Sequence, residues 1–141
     1  HNSRMDEIQA VILRVKLKYL TKSNLERNKI ANFYFKNLQN TPLKLPFVKD
    51  DCFHVFHQYV VRTKIRDKLK NFLESKLVFP GIHYSLPVHK HPAYENRLLV
   101  SDSLKNTESI SSEILSLPIY PGLMEEQYQK VVDLINSFFE S

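Results

Sequence analysis

Glycine is almost missing from this chain: among 141 residues there are two, Gly81 and Gly122. A phosphate cradle of the G-x-G-x-x-G or Walker type needs several glycines within a few residues, so neither loop exists here. Cysteine occurs once, as Cys52, which leaves no internal disulfide framework and suits a reducing compartment. No apolar run reaches the ~20 residues of a membrane span, and the N-terminus does not read as a signal peptide. The expected location is the cytoplasm. There is no block of like charge, no internal repeat and no low-complexity segment.

What is present is the material of a single folded domain. Hydrophobic residues make up 43% and charged residues 25% of the chain, a globular balance at a length that supports a core. The net charge of +5 admits nucleic acid or a polyanion such as a nucleotide diphosphate. The basic residues are scattered and mixed with acids, however, as on a solvated surface. The chain opens His1-Asn2-Ser3-Arg4-Met5-Asp6 with no methionine, as expected for a piece of something longer.

Hydrophobic spacing predicts the elements. A long helix over residues 4–20 has Met5, Ile8, Ile12, Val15 and Tyr19 on one face, with Ser3 and Asp6 as its start signal. A second helix over 24–39 begins at a Ser23–Glu26 capping box. Pro42 and Pro46 then break regular structure. Residues 53–63 read as a strand, 66–77 as a helix and 78–82 as a second strand. A helical turn is expected at 92–97, a polar loop at 99–106, and a short helix from Thr107 to Ile114. A strand over 114–119 ends in Tyr120-Pro121-Gly122, and a last helix covers 124–139. The sum is α+β: a small, mostly antiparallel sheet of about three strands with helices on one side, preceded by a long N-terminal helix.

Few residues offer chemistry. His54 and His57 would point to opposite faces of a strand, and no zinc spacing is present, so no metal site is expected. Cys52 has no local base. Basic residues Arg62, Lys64, Arg66, Lys68 and Lys70 share no face and fit no nucleic-acid module. The distinctive stretch is Gly81 to Tyr94, with three of the six histidines. Its imidazoles and phenols suit hydrogen bonds to phosphate or sugar oxygens. Equally, Tyr84 would pack in a core and the histidines would be solvated.

Four segments resemble one family. Asn2-Ser3-Arg4-Met5-Asp6-Glu7-Ile8-Gln9-Ala10 looks like an N-x-R-[LM]-D-E-[IL]-Q-A segment. His57-x-Tyr59-Val60-Val61-Arg62 with Arg66-Asp67 resembles a central strand and helix. Gly81-Ile82-His83-Tyr84-x-x-Pro87-x-His89 with Pro92-Ala93-Tyr94 is similar to G-I-H-Y-P-x-P-x-H…A-Y, and Leu115 to Leu123 to L-S-L-P-x-x-P-x-L. In order and spacing they resemble the DegT/DnrJ/StrS sugar aminotransferases, fold type I enzymes that use pyridoxal 5'-phosphate. Ser85 replaces the motif's proline, and Met124 stands where a capping serine or threonine is common, a loss of ~1 kcal/mol.

The resemblance implies that residues 1–141 are the family's C-terminal small domain. The N-terminal domain, which carries the Schiff-base lysine and most of the phosphate cup, is absent, so no catalytic residue is expected in this chain and the fragment alone should not transaminate. Asn2 and Arg4 are the candidate cofactor-binding positions: Asn2 matches the asparagine that reaches the cofactor phosphate across a dimer, and Arg4 matches the neighbouring motif arginine, whose role is either structural or anion-binding. His83, Tyr84 and His89 match positions near the substrate. The intact enzyme would move an amino group from glutamate to a keto-deoxysugar linked to a nucleotide diphosphate, as a homodimer, for a surface polysaccharide or another glycan. The alternatives are a non-catalytic truncated domain for dimerisation or nucleotide-sugar binding, and a basic nucleic-acid-binding module.

Overall fold

The computed structural model describes residues 4–94, 97 and 103–140. Two short strands, β1 (Tyr59–Arg62) and β2 (Ile114–Leu117), pair antiparallel with Tyr59 opposite Leu117 and Arg62 opposite Ile114. One isolated bridge extends the ladder on each side: Lys44 pairs with Arg62 and Gly81 with Ser116. The architecture is the expected α+β, but the strand expected at 78–82 contracts to the Gly81 bridge. Gly81 exchanges both backbone bonds with Ser116, at 2.9 and 2.8 Å. Pro80 before it has no N–H to give, and the chain turns at His83 immediately after.

The described residues form five helices besides: α1 (Glu7–Leu17), α2 (Leu20–Leu38), α3 (Arg66–Ser75), α4 (Lys105–Glu113) and α5 (Glu125–Glu140). Alternation along β1 buries Tyr59 and Val61, which face Leu117 and Leu115 across the ladder. Onto that apolar face come Tyr34 and Leu38 of α2, Leu69 and Leu73 of α3, and Val132 and Ile135 of α5, all buried. Each fully buried aliphatic side chain contributes ~1.5–3 kcal/mol. The 3.6-residue spacing thus located α2, α3 and α5 correctly to within a few residues.

The helix ends differ from expectation. The 4–20 helix is shorter and separated from α2 by a break at Lys18–Tyr19. Its cap is Asp6, whose Oδ1 accepts the Ile8 N–H at 2.8 Å; Ser3 lies outside the described residues. The Ser23–Glu26 box is not used, because α2 already starts at Leu20 and the Ser23 N–H bonds to Tyr19 O at 3.0 Å. Thr107 lies inside α4, not at its cap. The expected 92–97 turn is a 3₁₀ turn over Pro92–Tyr94, and the loop at 99–106 lies mostly outside the described residues. At α5, Gln127 Oε1 accepts the Met124 N–H at 3.0 Å. That is half of a capping box, which offsets part of the loss expected from a methionine there.

The strand expected over 53–63 survives only as β1. Phe56 sits at φ 47°, in the left-handed region, and its N–H goes to His54 Nδ1 at 2.9 Å instead of to a neighbouring strand. The His54 carbonyl is taken by Asn28 Nδ2 at 2.9 Å. Local side-chain bonds therefore outcompete the ladder.

Scarce glycine has a consequence at the end of α3. The Val78 N–H bonds to Leu73 O and the Leu77 N–H to Glu74 O, a Schellman closure, with Leu77 at φ 61°. Glycine is the residue that takes this conformation without Cβ strain. Because Leu77 is 76% exposed, Leu77→Gly loses little packing and should stabilise the chain by about 0.5–1 kcal/mol. A urea melt would show a higher midpoint at unchanged slope; a lower midpoint would contradict this account.

Arg62 ties β1 to the end of α4, donating from Nη2 to Glu113 Oε2 at 2.8 Å and from Nε to the same oxygen at 3.3 Å. These bonds hold the Glu113 carboxyl below its ordinary range. A depressed carboxylate stabilises the fold above its unfolded value, and that contribution disappears as pH falls through the folded value. The melting temperature of wild type should exceed that of Glu113→Gln near neutrality, and the gap should close in acid. A gap that persists unchanged at low pH would remove the pair as its cause.

Candidate functional site

The Gly81–Ser116 bridge brings the start of the histidine-rich stretch against β2. The His83 imidazole then lies directly over Gly81: a Cβ built there would be 2.5 Å from His83 Cε1 and 3.2 Å from Nδ1. His83 Nδ1 is 3.0 Å from Ser116 Oγ. The bare Cα below and the hydroxyl beside it fix the ring, and Nε2 has no partner among the described residues. The His83–Tyr84 peptide bond is cis.

His83 is on the wall of a cavity of about 400 Å³. Its polar side chains come from Arg27, His57, Gln58, His83 and Ser116, and its apolar part from Phe79 and the end of β2. Among the described residues no carboxylate and no lysine lines it. Sequence reasoning missed Arg27. From α2 its Nη1 donates to Ile119 O at 2.9 Å, His57 O at 3.2 Å and Phe56 O at 3.5 Å. A signal did exist, since Arg27 shares the stripe of Ala31, Tyr34 and Leu38, and a cation on a buried stripe is rare without partners.

The other candidates are dispersed. Tyr84 is 76% exposed, so it does not pack in the core; its ring stands edge-on to His83 with centroids 5.6 Å apart. His89 is not on the cavity wall. Its Nε2 meets Glu108 Oε1 at 3.1 Å, and Lys90 Nζ meets Glu108 Oε2 at 2.9 Å. Hydrogen bonds from Lys90 and then His89 hold the Glu108 carboxyl below its ordinary range. This three-residue clamp fastens the stretch to α4. Arg4 is exposed ahead of α1, and Asn2 lies outside the described residues.

Among the described residues no three His, Cys, Asp or Glu side chains gather as a metal site. Cys52 is exposed, with Sγ 3.5 Å from Asp51 Oδ1. A second cavity, about 300 Å³ between α2 and residues 46–48, is lined mainly by Phe35, Phe47, Val48 and Phe56 and has no charged group. No described helix is long and apolar enough to cross a membrane.

A family model for the DegT/DnrJ/EryC1/StrS aminotransferases matches residues 1–136. The chain belongs to that family. It is 40% identical over 137 residues to a dTDP-3-amino-3,6-dideoxy-alpha-D-galactopyranose transaminase of Aneurinibacillus thermoaerophilus, covering 97% of this chain and 37% of that protein. It is 37% identical over 140 residues to a dTDP-3-amino-3,4,6-trideoxy-alpha-D-glucose transaminase of Streptomyces venezuelae, covering 99% and 37% respectively. The crystal structure of S. venezuelae DesV with a ketimine intermediate superposes at a TM-score of 0.94 and 37% identity, over 99% of this chain and 38% of that one. The chain thus spans a little over a third of the length of these relatives. As a family member it has the small-sheet fold of a type I aminotransferase.

The seating of His83 can be tested alone. In Gly81→Ala the added methyl would overlap the His83 ring, so the ring must leave Ser116. Far-UV circular dichroism should stay unchanged while the His83 side-chain resonances move. Identical His83 behaviour in both proteins would mean that Gly81 does not seat the ring.

Proposed function

We propose that this chain is the C-terminal small-domain part of a pyridoxal-phosphate-dependent nucleotide-sugar aminotransferase, and that the cavity beside His83 receives the sugar nucleotide. The observation that carries this reading is the fixed imidazole. Gly81 and Ser116 hold it on a cavity wall with Nε2 uncommitted, where it can bond to a hydroxyl or keto oxygen. Gln58 on the same wall offers both a donor and an acceptor. Two relatives bearing the names of dTDP-amino-sugar transaminases support the substrate class.

The cofactor, when bound, supplies the electron sink for amino transfer. The cavity does not fit it as a covalent seat, because no lysine lines the cavity among the described residues. The role left to this chain is to bind and orient. The intact enzyme would take its amino group from an amino acid such as glutamate, act as a cytoplasmic homodimer and feed the synthesis of a glycan.

Arg27, Gln58 and His83 of this chain all face the cavity, so binding by this chain can be measured apart from catalysis. Titrating the isotope-labelled 141-residue chain with a dTDP-hexose should move the His83 and Gln58 resonances before others. Absence of any change there at millimolar ligand would sink the reading.

A further inference from the structure

The cavity holds a guanidinium with an unused edge. Arg27 makes all three of its hydrogen bonds from one nitrogen, Nη1, and every acceptor is a backbone carbonyl: Ile119 O, His57 O and Phe56 O. Among the described residues, Nε and Nη2 have no partner. Other arginines near the sheet differ. Arg62 meets Glu113 at 2.8 Å and Arg66 meets Asp67 at 2.6 Å, whereas no carboxylate meets Arg27. Among the described residues, then, no acid compensates this charge, and none lines the cavity whose wall it stands on.

The Nε–Nη2 edge of a guanidinium presents two parallel N–H donors at the spacing of two oxygens of a phosphate or carboxylate. A guanidinium already pinned at Nη1 has little rotamer freedom left to lose when an anion arrives. His57 and His83 lie on the same wall and add ring nitrogens able to donate.

We propose that Arg27 is the anion anchor of this cavity, taking two oxygens of a phosphate or carboxylate on its Nε–Nη2 edge. This rests on the reading of the cavity as the ligand site and names the group that holds the charged end of the ligand. The anion has two sources, the diphosphate of a sugar nucleotide or the carboxylate of an amino-acid donor.

The test follows the Arg27 Nε–H signal in proton–nitrogen spectra of the 141-residue chain while inorganic pyrophosphate or glutamate is added at constant ionic strength. Engagement of the edge shifts this proton downfield and slows its exchange. A response to pyrophosphate alone assigns the phosphate source, a response to glutamate alone the carboxylate, and either supports the anchor. Arg27→Lys keeps a cation and a donor for the three carbonyls but lacks the two-donor edge. It should weaken binding of the responding anion roughly tenfold or more while the circular dichroism spectrum is retained. If that variant does not fold, the wild-type Nε–H signal alone decides.

An Nε–H proton unmoved by both anions, or Arg27→Lys binding as tightly as wild type, overturns the anchor. The two proposals fail separately. If dTDP-hexose moves His83 but neither anion moves Arg27, the anchor falls and the sugar-nucleotide reading stands. If the anions move Arg27 but dTDP-hexose leaves His83 and Gln58 unmoved, the sugar-nucleotide reading falls and the anchor stands.

Discussion

A four-pair ladder of two strands is marginal in water without something to hold its ends, and in this chain α2 does so. The Tyr34 hydroxyl donates to Pro118 O at 2.8 Å, and Arg27 Nη1 bonds to Ile119 O, His57 O and Phe56 O. Those carbonyls lie where β2 ends and where the chain approaches β1. There the ladder no longer supplies partners and an unpaired buried carbonyl is costly. A hydrogen bond from a charged donor contributes ~1.5–3 kcal/mol. Burial pushes the Tyr34 phenol up from its ordinary value, so it remains a donor across the physiological range. The same bonds that close the fold also shape the cavity, because Pro118, Ile119 and His57 line it. Fold and site share one support.

Much of this was legible in the spacing of apolar residues. α3 and α5 follow from Leu69–Leu73 and Val131–Ile135, since one face must meet the sheet and burial along it sums over several turns. β2 followed from a short apolar run stopped by Pro118, which has no N–H for the ladder. The misreadings share a cause: a local signal was real, but something non-local decided. Ser23–Glu26 is a sound capping box that goes unused because the helix begins upstream. Residues 53–58 have strand composition, yet Phe56 turns left-handed once His54 and Asn28 satisfy the backbone. The motif stretch drew attention to His83 and His89 together, but the acid that holds His89 lies nineteen residues further along. No local pattern announces a pairing of that kind.

The first helix shows the limit most clearly. Its spacing predicted one apolar face, and no residue of α1 is buried. Ile8, Val11, Ile12 and Val15 do keep the predicted stripe, with Leu13 and Leu17 on the far side, but all six are 49–72% exposed. An apolar stripe that rests on no core of its own chain is left to solvent or to a contact beyond it. Periodicity finds a helix that rests on its own core. It cannot find what surrounds a helix that does not.

The Ser116–His83 pair looks at first like an activated nucleophile, with hydroxyl oxygen and imidazole nitrogen 3.0 Å apart. The surroundings argue otherwise. A serine activated by histidine needs the second imidazole nitrogen oriented by a further group, commonly a carboxylate, and needs an oxygen that a substrate can reach. No carboxylate lines this cavity. Ser116 is only 6% exposed, and its backbone is bonded on both sides to Gly81. The hydroxyl therefore serves the ring: it fixes Nδ1 and so turns Nε2 outward. With Arg27 pinned at one nitrogen and His83 at another, two donors of different character stand on one wall. One is suited to an anion and the other to a neutral oxygen.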